Sequence, residues 1–63
     1  MIRSIVKSQN GMVFVFNKKG RQLPEYQGQY ENVRDKILQD APPDALFWND
    51  DGRRLNPVAK EEW

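Results

Sequence analysis

The 63-residue sequence predicts a single small α+β domain over residues 1–63: an antiparallel or mixed β-sheet in the order β-β-β-α-β-β, with one helix packed across one face. Two β-rich runs meet at Gln9-Asn10-Gly11, an apolar stripe at helical spacing runs from Tyr26 to Ala41, and a further strand-turn-strand pattern surrounds Asn49-Asp50-Asp51-Gly52. Hairpins on either side of one amphipathic helix bury that stripe most simply by laying it against the sheet they form.

The first hairpin spans Ile2 to Asn17. Asn-Gly favours a two-residue turn whose central residues both take positive φ, and Asn10-Gly11 supplies it. The resulting register sets Lys7 opposite Phe14, Val6 opposite Val15 and Ile5 opposite Phe16. One sheet face then carries Ile5, Met12, Phe14 and Phe16, and the other Ile2, Val6, Val13 and Val15. The second strand, apolar on both faces, is expected to be central and covered on both sides. Asn17-Lys18-Lys19-Gly20 reads as a type I turn closed by Gly20 as a bulge, leading into a short third strand, Arg21 to Leu23, that stops at Pro24.

The helix carries Tyr26, Tyr30, Val33, Ile37, Leu38 and Ala41 on one stripe, with Gly28 as the N-cap candidate. Pro42-Pro43 ends it near Asp40, because the residue before a proline avoids the α region. Asp44 to Trp48 and Arg53 to Leu55 are the last two strands, and Asn56-Pro57 caps a final helical turn through Glu61. Their order in the sheet is left open by the pattern. The stretch Val15 to Leu23 echoes Phe47 to Leu55, with Asn, Gly, Arg and Leu in common, which reads as the same turn chemistry used twice. The tips differ in sign: Lys18-Lys19 in one copy, Asp50-Asp51 in the other.

Composition removes whole reaction classes from expectation. There is no Cys and no His, hence no thiol nucleophile, no imidazole base and none of the usual zinc ligand sets. Thr is absent, and neither Ser4 nor Ser8 lies in a Gly-x-Ser-x-Gly setting. The acid pairs Asp50-Asp51 and Glu61-Glu62 have no neighbour that would split their pKa values into acid and base roles. A calcium loop of the EF-hand kind, with Gly52 as its sixth residue, fails because Phe47 falls where the first carboxylate is needed. The expectation is therefore no catalysis, no cofactor and no metal. No apolar stretch is long enough for a membrane span, and Met1 to Lys7 shows no secretory pattern. A cytoplasmic protein is expected, since a chain without Cys suits a reducing compartment.

Charge is distributed unevenly. Residues 1–24 carry Arg3, Lys7, Lys18, Lys19 and Arg21 and no acid, whereas Glu25, Glu31, Asp35, Asp40, Asp44, Asp50 and Asp51 dominate residues 25–51; the total is only +1. A non-enzymatic binding or adaptor module for another protein is the favoured reading. The alternative is a weak nucleic-acid binder in which Arg3, Lys7, Lys18, Lys19 and Arg21 of the basic meander, with Arg53 and Arg54, contact phosphates. Against it stands the expectation that the two halves fold together and their charges interleave. Phe14 and Phe16 resemble a base-stacking platform, but a domain this short needs them in its core. Trp63 is the candidate protein contact: it either folds back onto an uncovered sheet face or anchors a partner or a second copy. A monomer or weak homodimer is expected.

Overall fold

The computed structural model describes residues 1–63. Strands β1 (Ile2–Lys7), β2 (Met12–Asn17), β3 (Gly28–Gln29), β4 (Leu46–Asp50) and β5 (Leu55–Val58) form one mixed sheet in the order β3-β2-β1-β4-β5, and helix α1 (Tyr30–Asp40) lies against it. Short 3-10 turns occupy Pro24–Tyr26 and Lys60–Glu62.

The central pairing, β1 with β4, is parallel, and the helix explains why. Its first residue, Tyr30, donates its backbone N–H to Gly11 O at 2.9 Å, so α1 begins beside the β1–β2 turn. Running back along the sheet, it returns the chain to the end where β1 starts. Ala41, extended at φ −69° and ψ 128° ahead of Pro42, closes the helix there. Strand β4 then runs alongside β1 in the same direction, and β5 pairs antiparallel at the edge, where Pro57 is tolerated.

The β1–β2 turn differs from the two-residue loop expected. Gly11 N donates to Ser8 O at 3.0 Å and Ser8 N to Met12 O at 2.8 Å, which makes Gln9-Asn10-Gly11 a three-residue loop with Gly11 at φ 86° as the bulge residue. The Asn10 side chain stabilises it by accepting the Met12 N–H at 3.1 Å. One added loop residue shifts the register by one: Ile5 faces Val15, Val6 faces Phe14, and Lys7 faces Val13. Such a shift reassigns every side chain of one strand relative to the faces of its partner. Val13 and Val15, not Phe14 and Phe16, share the core with Ile5. An irregularity between Ile2 and Ser4 restores Ile2 to the same face.

The core is Ile2, Ile5, Val13, Val15, Ile37, Ala41, Phe47 and Trp63, with Leu23, Tyr26, Tyr30, Val33, Leu38, Ala45 and Val58 packed at its margin. Thus α1 lies on the valine face. Several expected elements are displaced. Residues 21–23 touch β2 through a single bridge, Phe16 to Gln22, and the third strand is Gly28–Gln29 instead, so α1 starts at Tyr30 with Gln29 as its N-cap. Strand β4 begins two residues later than expected, after a turn closed by Ala45 N donating to Pro42 O at 3.0 Å, and so does β5, after a turn closed by Asp51 N donating to Arg54 O at 3.2 Å. The sequence echo does not extend to geometry: Asn17 Oδ1 accepts from the Lys19 and Arg21 N–H groups, whereas Asn49 Oδ1 accepts from neither counterpart, Asp51 or Arg53, and the Arg53 N–H goes to Asp51 Oδ1 instead.

Candidate docking face

Side chains alternate across a sheet, so the register that buries Val13, Val15, Ile5 and Phe47 under α1 turns their neighbours the other way. Across the strands the opposite face reads Phe16, Ser4, Leu46 in one row and Phe14, Val6, Trp48, Pro57 in the next, with Met12 and Leu55 toward one end. None of these belongs to the core cluster or packs against it. The chain's helical segments all lie on the covered face: α1 through Ile37, the Pro24–Tyr26 turn through Tyr26, and the Lys60–Glu62 turn through Trp63. What remains is an open sheet face with three aromatic rings, half-buried only by their neighbours in the sheet, and with Leu46 41% and Leu55 48% exposed.

The relief of this face follows from residue size. Met12, Phe14 and Phe16 form a ridge along β2, and Leu46 and Trp48 a second along β4; between them β1 presents only Ser4 and Val6. The result is a shallow trough about 10 Å wide, two strand spacings from ridge to ridge. Asp50, at one end, is the acidic side chain of this surface, and its Oδ1 accepts the Gly52 N–H at 2.8 Å.

The residues singled out in the sequence are scattered. Arg3 pairs with Asp44 at 3.4 Å, the ion pair that joins the basic and acidic stretches; the other, Arg34 with Asp35 at 3.3 Å, is between neighbours. Lys7 lies on the helix side, its Nζ 4.1 Å from the centroid of the Tyr30 ring. Lys18, Lys19 and Arg21 are exposed and come together around the β2 turn. Arg53 and Arg54 are exposed at the opposite end of the sheet. Trp63 does fold back, but onto the covered face: it is 5% exposed, with ring centroids 5.0 Å from both Tyr30 and Phe47, so it is unavailable as an exposed anchor. The expected interleaving of charge reduces to the single contact of Arg3 with Asp44.

Two groups titrate away from their ordinary range. The Asp51 carboxyl is held low by the backbone N–H groups of Arg53 and Arg54, with help from the Asn56 amide. The Tyr26 hydroxyl is pushed up because it donates to Asp40 Oδ2 at 2.7 Å and would lose its proton beside a carboxylate. Both serve local structure. No cluster of carboxylates has the arrangement to hold a metal ion, and no helix is long and apolar enough to cross a membrane.

The aromatic pair was legible in the sequence, but its placement was not. Fold and surface together define the class: a small α+β domain with a helix on one side of a mixed sheet and an open apolar face on the other. Compared with protein-family models, with curated proteins and with solved structures, the chain matches none.

Proposed function

We propose that this chain is a non-enzymatic binding module that contacts another protein through the open sheet face, with Phe14, Phe16 and Trp48 as its anchors. The observation that carries the reading is the location of these rings. Three large aromatics in a 63-residue domain lie outside the core, on a surface with no covering segment, where burial against a partner is the available gain. A cysteine-free chain suits the reducing cytoplasm, which we take as its compartment.

The test compares proteins captured from extracts by the wild type and by a Phe14→Ser, Trp48→Ser variant. A partner held by the first and lost by the second is expected. Identical capture by both would sink the reading.

Stacking of single-stranded nucleic acid is the second reading, favoured by the alternation of Phe14 and Phe16 on one open strand. Phosphate contacts are its weakness. Lys7 lies on the other face, Arg3 is paired with Asp44, and Arg53 and Arg54 are a sheet length away from Lys18 and Lys19.

A further inference from the structure

We infer that Asn10 is a site of spontaneous modification, at which the Gly11 nitrogen closes on the Asn10 side chain while Ser8 Oγ–H and Met12 N–H stabilise the charge that develops on Asn10 Oδ1. The reaction is carried by the β1–β2 loop alone and is independent of the open face and of any partner.

The chemistry starts from the residue pair. Gly11 N adds to Asn10 Cγ, the carbonyl oxygen takes up negative charge, and the side-chain nitrogen leaves as ammonia, which closes a succinimide ring. Water then opens the ring at one of its two carbonyls and leaves either aspartate or isoaspartate at position 10. Of the five asparagines, only Asn10 precedes a glycine. Lys18, Val33 and Asp50, which follow Asn17, Asn32 and Asn49, each carry a Cβ that crowds the attacking nitrogen, and Pro57 after Asn56 has no N–H to lose. The related pair Asp51-Gly52 is protected, because an ionised carboxylate is a poor electrophile and this one is held by the Arg53 and Arg54 N–H groups.

The loop adds what the bare dipeptide lacks. Asn10 is exposed, and its Oδ1 accepts from two donors within the loop, Met12 N–H at 3.1 Å and Ser8 Oγ–H. The single hydroxyl proton also reaches Met12 O at 3.0 Å, and charge building on Oδ1 draws it to Asn10 as the ring closes. Both donors sit on the atom that becomes anionic, so they hold the transition state more tightly than the resting amide. One bond opposes them. Gly11 N–H donates to Ser8 O at 3.0 Å and must let go before the nitrogen attacks, an opening that an exposed turn makes at little cost. Conversion takes the net charge of the chain from +1 to 0, one amide having become a carboxylate, and sets that carboxylate among Glu31, Asp50 and Asp51, which line one cleft with Asn10 and Lys7. Isoaspartate also lengthens the main chain of the loop whose three residues fix Ile5 opposite Val15.

Incubation of the full chain at mildly alkaline pH, folded and in denaturing urea, tests this when followed by peptide mass mapping and isoaspartate-specific methylation. The folded wild type should gain a carboxyl at Asn10 and at no other asparagine, and its isoelectric point should fall below 8.1. Ser8→Ala should slow the folded reaction about tenfold, less than the roughly hundredfold loss at a buried oxyanion site because water reaches this loop. Ser8→Thr keeps the hydroxyl and should keep the rate. Both variants retain the backbone bonds of residue 8, so both should fold, which amide dispersion checks first. In urea the donors are no longer in place, and all three chains should react alike. An Asn10 that stays intact in the folded chain while the urea-unfolded chain converts overturns the inference, since the bond from Gly11 N to Ser8 O then decides the outcome. A folded Ser8→Ala that reacts as fast as the wild type, or faster, overturns the part given to the hydroxyl.

Discussion

The ring of Trp63 stands edge-on to that of Tyr30, with centroids 5.0 Å apart and planes at 80°. The Tyr30 hydroxyl donates to Trp63 O and accepts from Arg34 Nε at 2.9 Å, so one side chain ties the last segment to the helix. Edge-to-face pairs of this kind add about 0.5–1.5 kcal/mol to the area they bury.

Replacing Trp63 by Ala should therefore cost about 3–5 kcal/mol, the scale of emptying a buried aromatic site. Trp63→Phe should cost much less, because the indole Nε1 is buried without a partner and its removal relieves an unmet donor. Urea unfolding of both variants checks this. Equal losses would mean that Nε1 makes a bond that matters.

The register has a consequence that inverts the usual order of size. Val15→Ala, in the core, should destabilise by about 2 kcal/mol, and Phe14→Ala, on the open face, by less than about 1. If Phe14→Ala is the more damaging, Phe14 faces the core and the register is that of a two-residue turn.

Gly20 sits at φ 83° with no atom within 4 Å of where a Cβ would lie. Gly20→Ala should cost about 1 kcal/mol, all of it conformational, and Gly20→Asn less, since Asn tolerates the left-handed region. A pair of thermal melts is sufficient. A cost well above that for Ala would point to a collision the open turn does not show.

Asp51 sets a pH dependence whose sign can be worked out. Its folded pKa lies below the unfolded value, so its contribution is fully present above the unfolded pKa, near 4, and is lost as pH falls through the folded value. Asp51→Asn keeps the acceptor oxygen but not the charge. The stability difference between wild type and variant should hold from pH 6 to just above the unfolded pKa near 4 and shrink as pH is lowered from there toward 2. For Tyr26, whose pKa is raised, the contribution is present below about 10 and lost as pH rises through the folded value, so Tyr26→Phe should flatten the alkaline limb. Constant differences across either range would contradict the hydrogen bonds described.

Much of the fold was legible because it rests on local chemistry. Gly11 and Gly20 announce turns, Pro42 stops the helix, and the stripe from Tyr30 to Ala41 points at the core. The open face was not legible, and the reason is one residue in one loop. Ser8-Gln9-Asn10-Gly11 can close with either two or three loop residues, and only the second leaves Ile5 opposite Val15. In Met12-Val13-Phe14-Val15-Phe16 both alternate sets are apolar, so patterning alone could not say which set the helix would choose. Trp48 reads as part of a strand, but its role depends on pairing with Val6 across more than half the chain.

That long-range pairing also orders the assembly of the domain in time. The β1–β2 hairpin closes a three-residue loop, an event of microseconds, whereas the parallel contact of Ser4 with Leu46 must wait until the helix has carried the chain back along the sheet. The middle of the finished sheet is thus its latest seam. Substitutions in the hairpin should slow refolding, and those at Phe47 should mainly hasten unfolding, a division that stopped-flow kinetics reads directly. Until that seam closes, β1 offers an unpaired edge beside the apolar rings of β2, and crowding of nascent chains at this stage favours aggregation over the native sheet.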